Sequence, residues 1–156
     1  MFIIVTAIGL FFPSTVRVSR AIDIYATSDT LHHFISDVKY WKLWMQGAEK
    51  STIQFLSAKT AGAGTVARIG NDEVGILSAA PNSILIQWKG IKGNIQNSGF
   101  ELISYPAKNI TTVQWWFEQH INWYPWERFA SIMNDKILGP SMEQSLNNLK
   151  LLAEKN

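Results

Sequence analysis

Residues 111–154 read TTVQWWFEQHINWYPWERFASIMNDKILGPSMEQSLNNLKLLAE, and the spacing of their apolar residues changes near Pro125. Before Pro125 the apolar residues alternate with polar ones, which predicts a strand with one buried face. After it they recur every third or fourth position, as at Met142, Leu146 and Leu149, which predicts a helix. The chain therefore closes with a strand and a long helix.

The rest of the chain predicts one strand, one or two short helices and five more strands. Residues 15–25 alternate, with a bulge expected near Arg20 and Ala21 where the alternation slips. Thr27 or Ser28 can cap a helix that runs to Val38. Turn-forming segments then separate short apolar runs, at 53–56, 65–69, 74–79, 84–88 and 100–105.

This order predicts an α+β domain with an antiparallel sheet, one face of which is available to the last helix. Such an arrangement commonly leaves a cavity. Gly139-Pro140 interrupts the helix, so a kink or a fresh start is expected there because Pro140 cannot donate to residue 136.

The composition is that of one globular domain of 156 residues and 17.6 kDa. A formal charge of only +2, from scattered basic residues, argues against a nucleic-acid partner. Zero Cys excludes disulfides, thiolate metal sites and Cys nucleophiles. We expect neither a metal nor a cofactor.

The first residues, MFIIVTAIGLFFP at 1–13, form a hydrophobic segment. Twelve helical residues rise about 18 Å, too little for a bilayer core of about 30 Å. We expect a partial membrane anchor over 1–13 and a domain over 14–156, and thus a membrane-associated protein. A buried first strand is the alternative interpretation.

Few residues suggest catalysis or metal binding. His32 and His33 point about 100° apart on a helix, which suits chelation poorly. Glu118 and His120 could form a general-base dyad, but the alternation places them opposite the apolar face. Asn97 is a further candidate for proton transfer. The glycines of Gly62-Ala63-Gly64 match a nucleotide-binding pattern only loosely, and we interpret them as turn residues.

Seven Trp are the unusual feature of the composition. Many of the aromatic residues fall on apolar faces, which predicts either plain core or the wall of a pocket. An apolar stripe normally means packing, yet each indole N–H needs a partner when it is buried. The candidate ligand-binding residues are Trp41, Trp44, Trp88, Phe100, Trp115, Phe117, Phe129 and Met133, with Thr111 as a polar contact.

Several stretches together resemble the polyketide cyclase/dehydrase-like branch of the START-related helix-grip (SRPBCC) superfamily, over about residues 15–153. They include VRVSRAIDI, DTLHHFISDVKYWKLW, AGAGT, EVGILSAAPNSILIQ, NITTVQWWFE and LGPSMEQSLNNLKLLAE. The resemblance implies a helix-grip fold, in which a seven-stranded antiparallel sheet wraps around a long C-terminal helix, with short helices after strand 1. It also implies apolar ligands held between the sheet and that helix, and supports an N-terminal anchor.

The resulting expectation is noncatalytic binding of a hydrophobic small molecule or lipid. The alternative is a cyclase, dehydrase or hydrolase-type enzyme that uses polar pocket residues. A third interpretation is a chaperone-like domain with an exposed apolar groove.

Overall fold

A computed structural model describes residues 15–90, 93, 95–120 and 125–155. Within these ranges, side chains are described for 17–48, 50–90, 93, 95–118 and 138–155. The predicted anchor over 1–13 lies outside the described residues. In the described part of the chain, no helix combines the length and apolar character needed to cross a membrane.

The domain is built from one antiparallel sheet and two α-helices, in the predicted order. The strands are β1 (Thr15–Ile24), β2 (Ile53–Phe55), β3 (Val66–Ile69), β4 (Asp72–Ala80), β5 (Ser83–Lys89), β6 (Ile95–Tyr105) and β7 (Ile110–His120). The helices are α1 (Ser28–Ser36) and α2 (Pro125–Glu154), with 3-10 turns at Val38–Leu43, Ala48–Lys50 and Pro106–Lys108.

The seven strands are ordered β1-β7-β6-β5-β4-β3-β2, so every neighbouring pair except β1 and β7 is consecutive in sequence. All pairs are antiparallel. The side of the sheet that faces α2 is called the inner face below. The predicted fold class, a seven-stranded antiparallel sheet with a long C-terminal helix and short helices after strand 1, is confirmed.

The predicted bulge near Arg20 and Ala21 is wrong. β1 pairs with β7 without a slip from Thr15 opposite His120 to Ile24 opposite Thr111. Arg20 occupies an inward position that an apolar residue would normally fill, because its Nε donates to Glu143 of α2 at 2.9 Å. The register shift of the sheet lies instead in β4, between Ile76 and Ser78.

The turn after α1 anchors two tryptophans in the core. Thr27 caps α1 by accepting a hydrogen bond from the amide of Thr30. Trp41 and Trp44 then fold back under the helix, and both side chains are fully buried. Their indole N–H groups donate to the carbonyls of Ile35 at 2.8 Å and Phe34 at 3.1 Å.

Helix α2 runs without interruption through Pro140. The expected alternative, a new helix that starts at this proline, is therefore not found. Its apolar stripe, Met142, Leu146, Leu149 and Ala153, is buried in the core that the sheet's inner face also forms. A Cβ added at Gly139 would collide with the guanidinium of Arg20. The glycine thus leaves room for this guanidinium between β1 and α2.

We expect Trp44→Ala to lower the free energy of unfolding by about 3–5 kcal/mol, as for other large-to-small core substitutions. Leu43→Ala is the control, because the neighbouring Leu43 is 57% exposed and should change stability by less than about 0.5 kcal/mol. Urea denaturation of both variants measures the difference. Equal effects would contradict this packing.

Candidate functional site

A cavity of about 380 Å³ lies between the inner face of the sheet and helix α2. Ligand pockets typically have volumes of about 300–1,000 Å³. The described residues that line this one come from the sheet, from α2 and from the turn after Trp44: Met45, Gln46, Asp72, Trp88, Gly90, Gln96, Trp115, Phe117, Leu138, Ser141, Met142 and Ser145.

Three aromatic side chains form the sheet side of the cavity. Trp88 lies on β5, and Trp115 and Phe117 lie two residues apart on β7, so strand alternation turns both toward α2. The Phe117 ring centroid is 5.3 Å from that of Trp115 and 6.4 Å from that of Trp88. The three rings form one continuous surface, called the aromatic wall below.

A second layer of aromatic residues, outside the cavity lining, packs against this wall. Trp41 stacks on Trp88 with 5.9 Å between ring centroids, and Phe100 stacks on Trp115 at 5.0 Å. Trp44 meets both Phe100 and Trp115 edge to face. Aromatic pairs of this kind contribute about 0.5–1.5 kcal/mol beyond their buried area, so the second layer restricts how the wall can move.

The two wall indoles differ in their hydrogen bonding. Trp115 donates from Nε1 to the Ser98 hydroxyl at 2.9 Å, and Ser98 in turn donates to the carbonyl of Trp116. The Nε1 of Trp88 is buried and has no hydrogen-bond partner within the described residues. A buried donor without a partner costs about 1–3 kcal/mol, and such groups are rare in native proteins.

Polar groups line the cavity on the α2 side and near the start of β4. The buried Ser145 hydroxyl donates to the carbonyl of Ser141 and accepts from the amide of Gln46. This pair of bonds joins α2 to the turn after Trp44. Asp72 and Gln96 contribute a carboxylate and an amide from β4 and β6.

The structure divides the predicted site residues into wall and core. Trp88, Trp115 and Phe117 line the cavity, whereas Trp41, Trp44 and Phe100 are fully buried in the second layer and do not line it. The fully buried Thr111 donates to the carbonyl of Ala26 at 2.8 Å and is absent from the cavity lining. The side chains of Phe129 and Met133 lie outside the described ones.

Several lining residues are not aromatic, so the aromatic pattern of the sequence did not identify them. Two of them could have been found by extending the strand alternation. Asp72 is in phase with the buried Val74 and Ile76, and Gln96 is in phase with Ser98 and Phe100. Met45 and Gln46 carried no such signal, because they lie in a turn whose path depends on the tertiary fold.

Two of the candidates for proton transfer, Glu118 and Asn97, are not brought to the cavity. Glu118 forms an ion pair with Arg17 at 2.6 Å on the opposite face of the sheet from Phe117. Asn97 was a candidate only if it faced inward, and it instead lies opposite Glu118 in the register and is exposed. Strand alternation explains both positions. The His120 side chain is outside the described ones.

The other two His residues contact neighbouring groups of the protein and do not line the cavity. His32 lies within hydrogen-bond distance of the Ala80 carbonyl and the Ser36 hydroxyl, while the exposed His33 contacts the ring of Tyr40. Among the residues that the structure describes, no group of three or more His, Cys, Asp or Glu could hold a metal ion.

No protein-family model matches the sequence, and no curated protein matches it at a significant level. Solved structures do match by shape. A START superfamily protein from Mycobacterium smegmatis superposes with a TM-score of 0.66 and 15% identity, covering 89% of this chain and 97% of that one.

Two larger proteins also match. DynU16, from the dynemicin biosynthetic locus, has a TM-score of 0.64 and 12% identity over 88% of this chain. The di-domain ARO/CYC protein BexL, from the BE-7585A biosynthetic pathway, has a TM-score of 0.66 and 13% identity over 95% of it. The chain spans about half the length of each, 47% and 53% respectively.

These likenesses show the fold. The chain has the helix-grip fold of START and polyketide cyclase-like proteins, as the resemblance implied. At sequence identities of 12–15%, a shared fold does not identify the ligand of the cavity.

We expect Ser98→Ala to lower the free energy of unfolding by about 1–3 kcal/mol, because it leaves the Trp115 indole N–H buried without an acceptor. Ser104→Ala on the same strand is the control, since Ser104 is exposed and should change stability by less than about 0.5 kcal/mol. Denaturation of both variants gives the comparison. A Ser98→Ala variant as stable as the control would show that this bond does not hold the wall.

Proposed function

We propose that this protein binds a hydrophobic small molecule, without catalysis, in the cavity between the sheet and α2. The observation that carries the proposal is the aromatic wall of Trp88, Trp115 and Phe117 beside a cavity of about 380 Å³. A concave apolar surface with a few polar groups is the usual form of a small-molecule site.

Burial of apolar ligand surface supplies the binding energy, at about 25 cal/mol per Å². The second layer favours binding, because wall rings that are already fixed lose little freedom when a ligand arrives. Two stacked pairs, Trp41 with Trp88 and Phe100 with Trp115, fix them.

The indole N–H of Trp88 has no acceptor within the described residues, and it is buried. We therefore define the expected ligand by its apolar surface rather than by a hydrogen bond to this nitrogen. The neighbours from two biosynthetic loci are consistent with a small organic compound as ligand.

Catalysis is less well supported than binding. Glu118 and Asn97, two of the residues considered for proton transfer, lie on the outer face of the sheet. A lipid remains within the proposed ligand class. The hydrophobic segment 1–13, as a partial membrane anchor, would hold the domain near such a ligand.

The test uses N-phenyl-1-naphthylamine, an uncharged probe whose fluorescence rises in apolar surroundings. We expect the full chain to bind it with saturation at one site. Ser141→Phe should weaken binding about tenfold or more, because the added ring enters the cavity from α2 and overpacking costs about 1–3 kcal/mol.

Asn147→Phe is the matched control, because Asn147 lies on the exposed side of the same helix. It should bind the probe like the unchanged protein. Absence of saturable binding by the unchanged protein, or equal binding by both variants, would contradict the proposed function.

A further inference from the structure

The cavity contains one charged side chain among the described residues that line it, the carboxylate of Asp72. Its neighbours in the lining are neutral polar or apolar. Asp72 is the first residue of β4, and it shares the inner face with Val74 and Ile76 because they lie two and four positions further along the strand.

Among the described residues, the cations that lie beside β4 in the sheet point away from this carboxylate. Arg68 and Lys89 lie opposite Glu73 in the registers of β3 with β4 and of β4 with β5, so both belong to the outer face. Arg68 contacts Glu73 at 4.0 Å. No described Lys or Arg lines the cavity, and no hydrogen bond or ion pair of the Asp72 side chain occurs within the described residues.

We infer that Asp72 makes this site selective for uncharged or cationic apolar ligands and against anionic ones such as fatty acids. The inference rests on the proposed function and specifies its ligand class. A carboxylate at the cavity raises the free energy of a bound anion and lowers that of a bound cation. An alcohol is unaffected by net charge and can donate a hydrogen bond to the carboxylate.

Solvent limits the size of this effect. Asp72 is exposed, so water and salt screen its field. We expect changes of roughly three- to tenfold in affinity rather than larger ones, decreasing as ionic strength rises.

The experiment compares three ligands of equal chain length: decanol, decanoate and decylammonium. Each competes with N-phenyl-1-naphthylamine at neutral pH and low salt. Any apolar cavity disfavours a charged ligand, so the order of the three affinities in the unchanged protein does not by itself test the role of Asp72. The test is the change in each affinity that a variant causes. Asp72→Asn removes the charge with little change of shape.

Glu73→Gln is the matched control. It removes the same charge from the adjacent residue, but Glu73 faces the outer side of the sheet. We expect Asp72→Asn to strengthen the binding of decanoate and to weaken that of decylammonium, each by roughly threefold or more at low salt. The affinity for decanol should be nearly unchanged. Glu73→Gln should leave all three affinities nearly unchanged.

The selectivity would be overturned if Asp72→Asn left the affinities for both ions unchanged, or if Glu73→Gln changed them equally. In either case, binding of the probe would still support the proposed function. Failure of the unchanged protein to bind the probe or any of the three ligands would overturn the proposed function, and the selectivity with it.

Discussion

The site depends on two buried hydrogen bonds, from the indoles of Trp41 and Trp44 to the carbonyls at the end of α1. A buried indole N–H needs an acceptor, and Ile35 and Phe34 supply them where the helix leaves its last carbonyls unbonded. The bonds fix both rings beneath the sheet. Trp88 and Trp115 then pack against rings that are themselves held in place.

Polar contacts as well as apolar packing hold helix α2 against the rest of the domain. Arg20 of β1 reaches Glu143, and Gly139 leaves room for its guanidinium. Ser145 joins the helix to the amide of Gln46. Further along, Leu146 and Leu149 are buried in the shared core. The helix is therefore held firmly along its last turns, while Leu138, Ser141 and Met142 line open space.

The sequence predicted the fold well because its strands and helices follow simple periods. Alternation located β7, and the three-to-four spacing located the apolar stripe of α2. Arg20 misled the prediction because its inward position depends on an ion pair with residue 143, which a local pattern does not show. Pro140 likewise did not end the helix, despite the hydrogen bond that it removes.

The site was less predictable than the fold. Periodicity assigns a residue to the inner face, but it does not tell a side chain in the first layer from one in the second. Trp88 and Phe100 have the same pattern, yet one lines the cavity and the other is fully buried. That difference depends on the tertiary fold, in which Trp44 from the turn after α1 packs on Phe100. Gln46 lies in a turn, so its place in the cavity lining could be identified only from the tertiary structure.

The separation of wall and core tryptophans can be measured directly by NMR of the indole N–H groups, assigned with single Trp→Phe variants. On titration with N-phenyl-1-naphthylamine, the signals of Trp88 and Trp115 should shift most, because their rings border the cavity. Those of Trp41 and Trp44 should move little, since both remain bonded to Ile35 and Phe34. Unmoved Trp88 and Trp115 signals at saturation, or larger shifts at Trp41 and Trp44, would contradict the assignment of the binding site to this cavity.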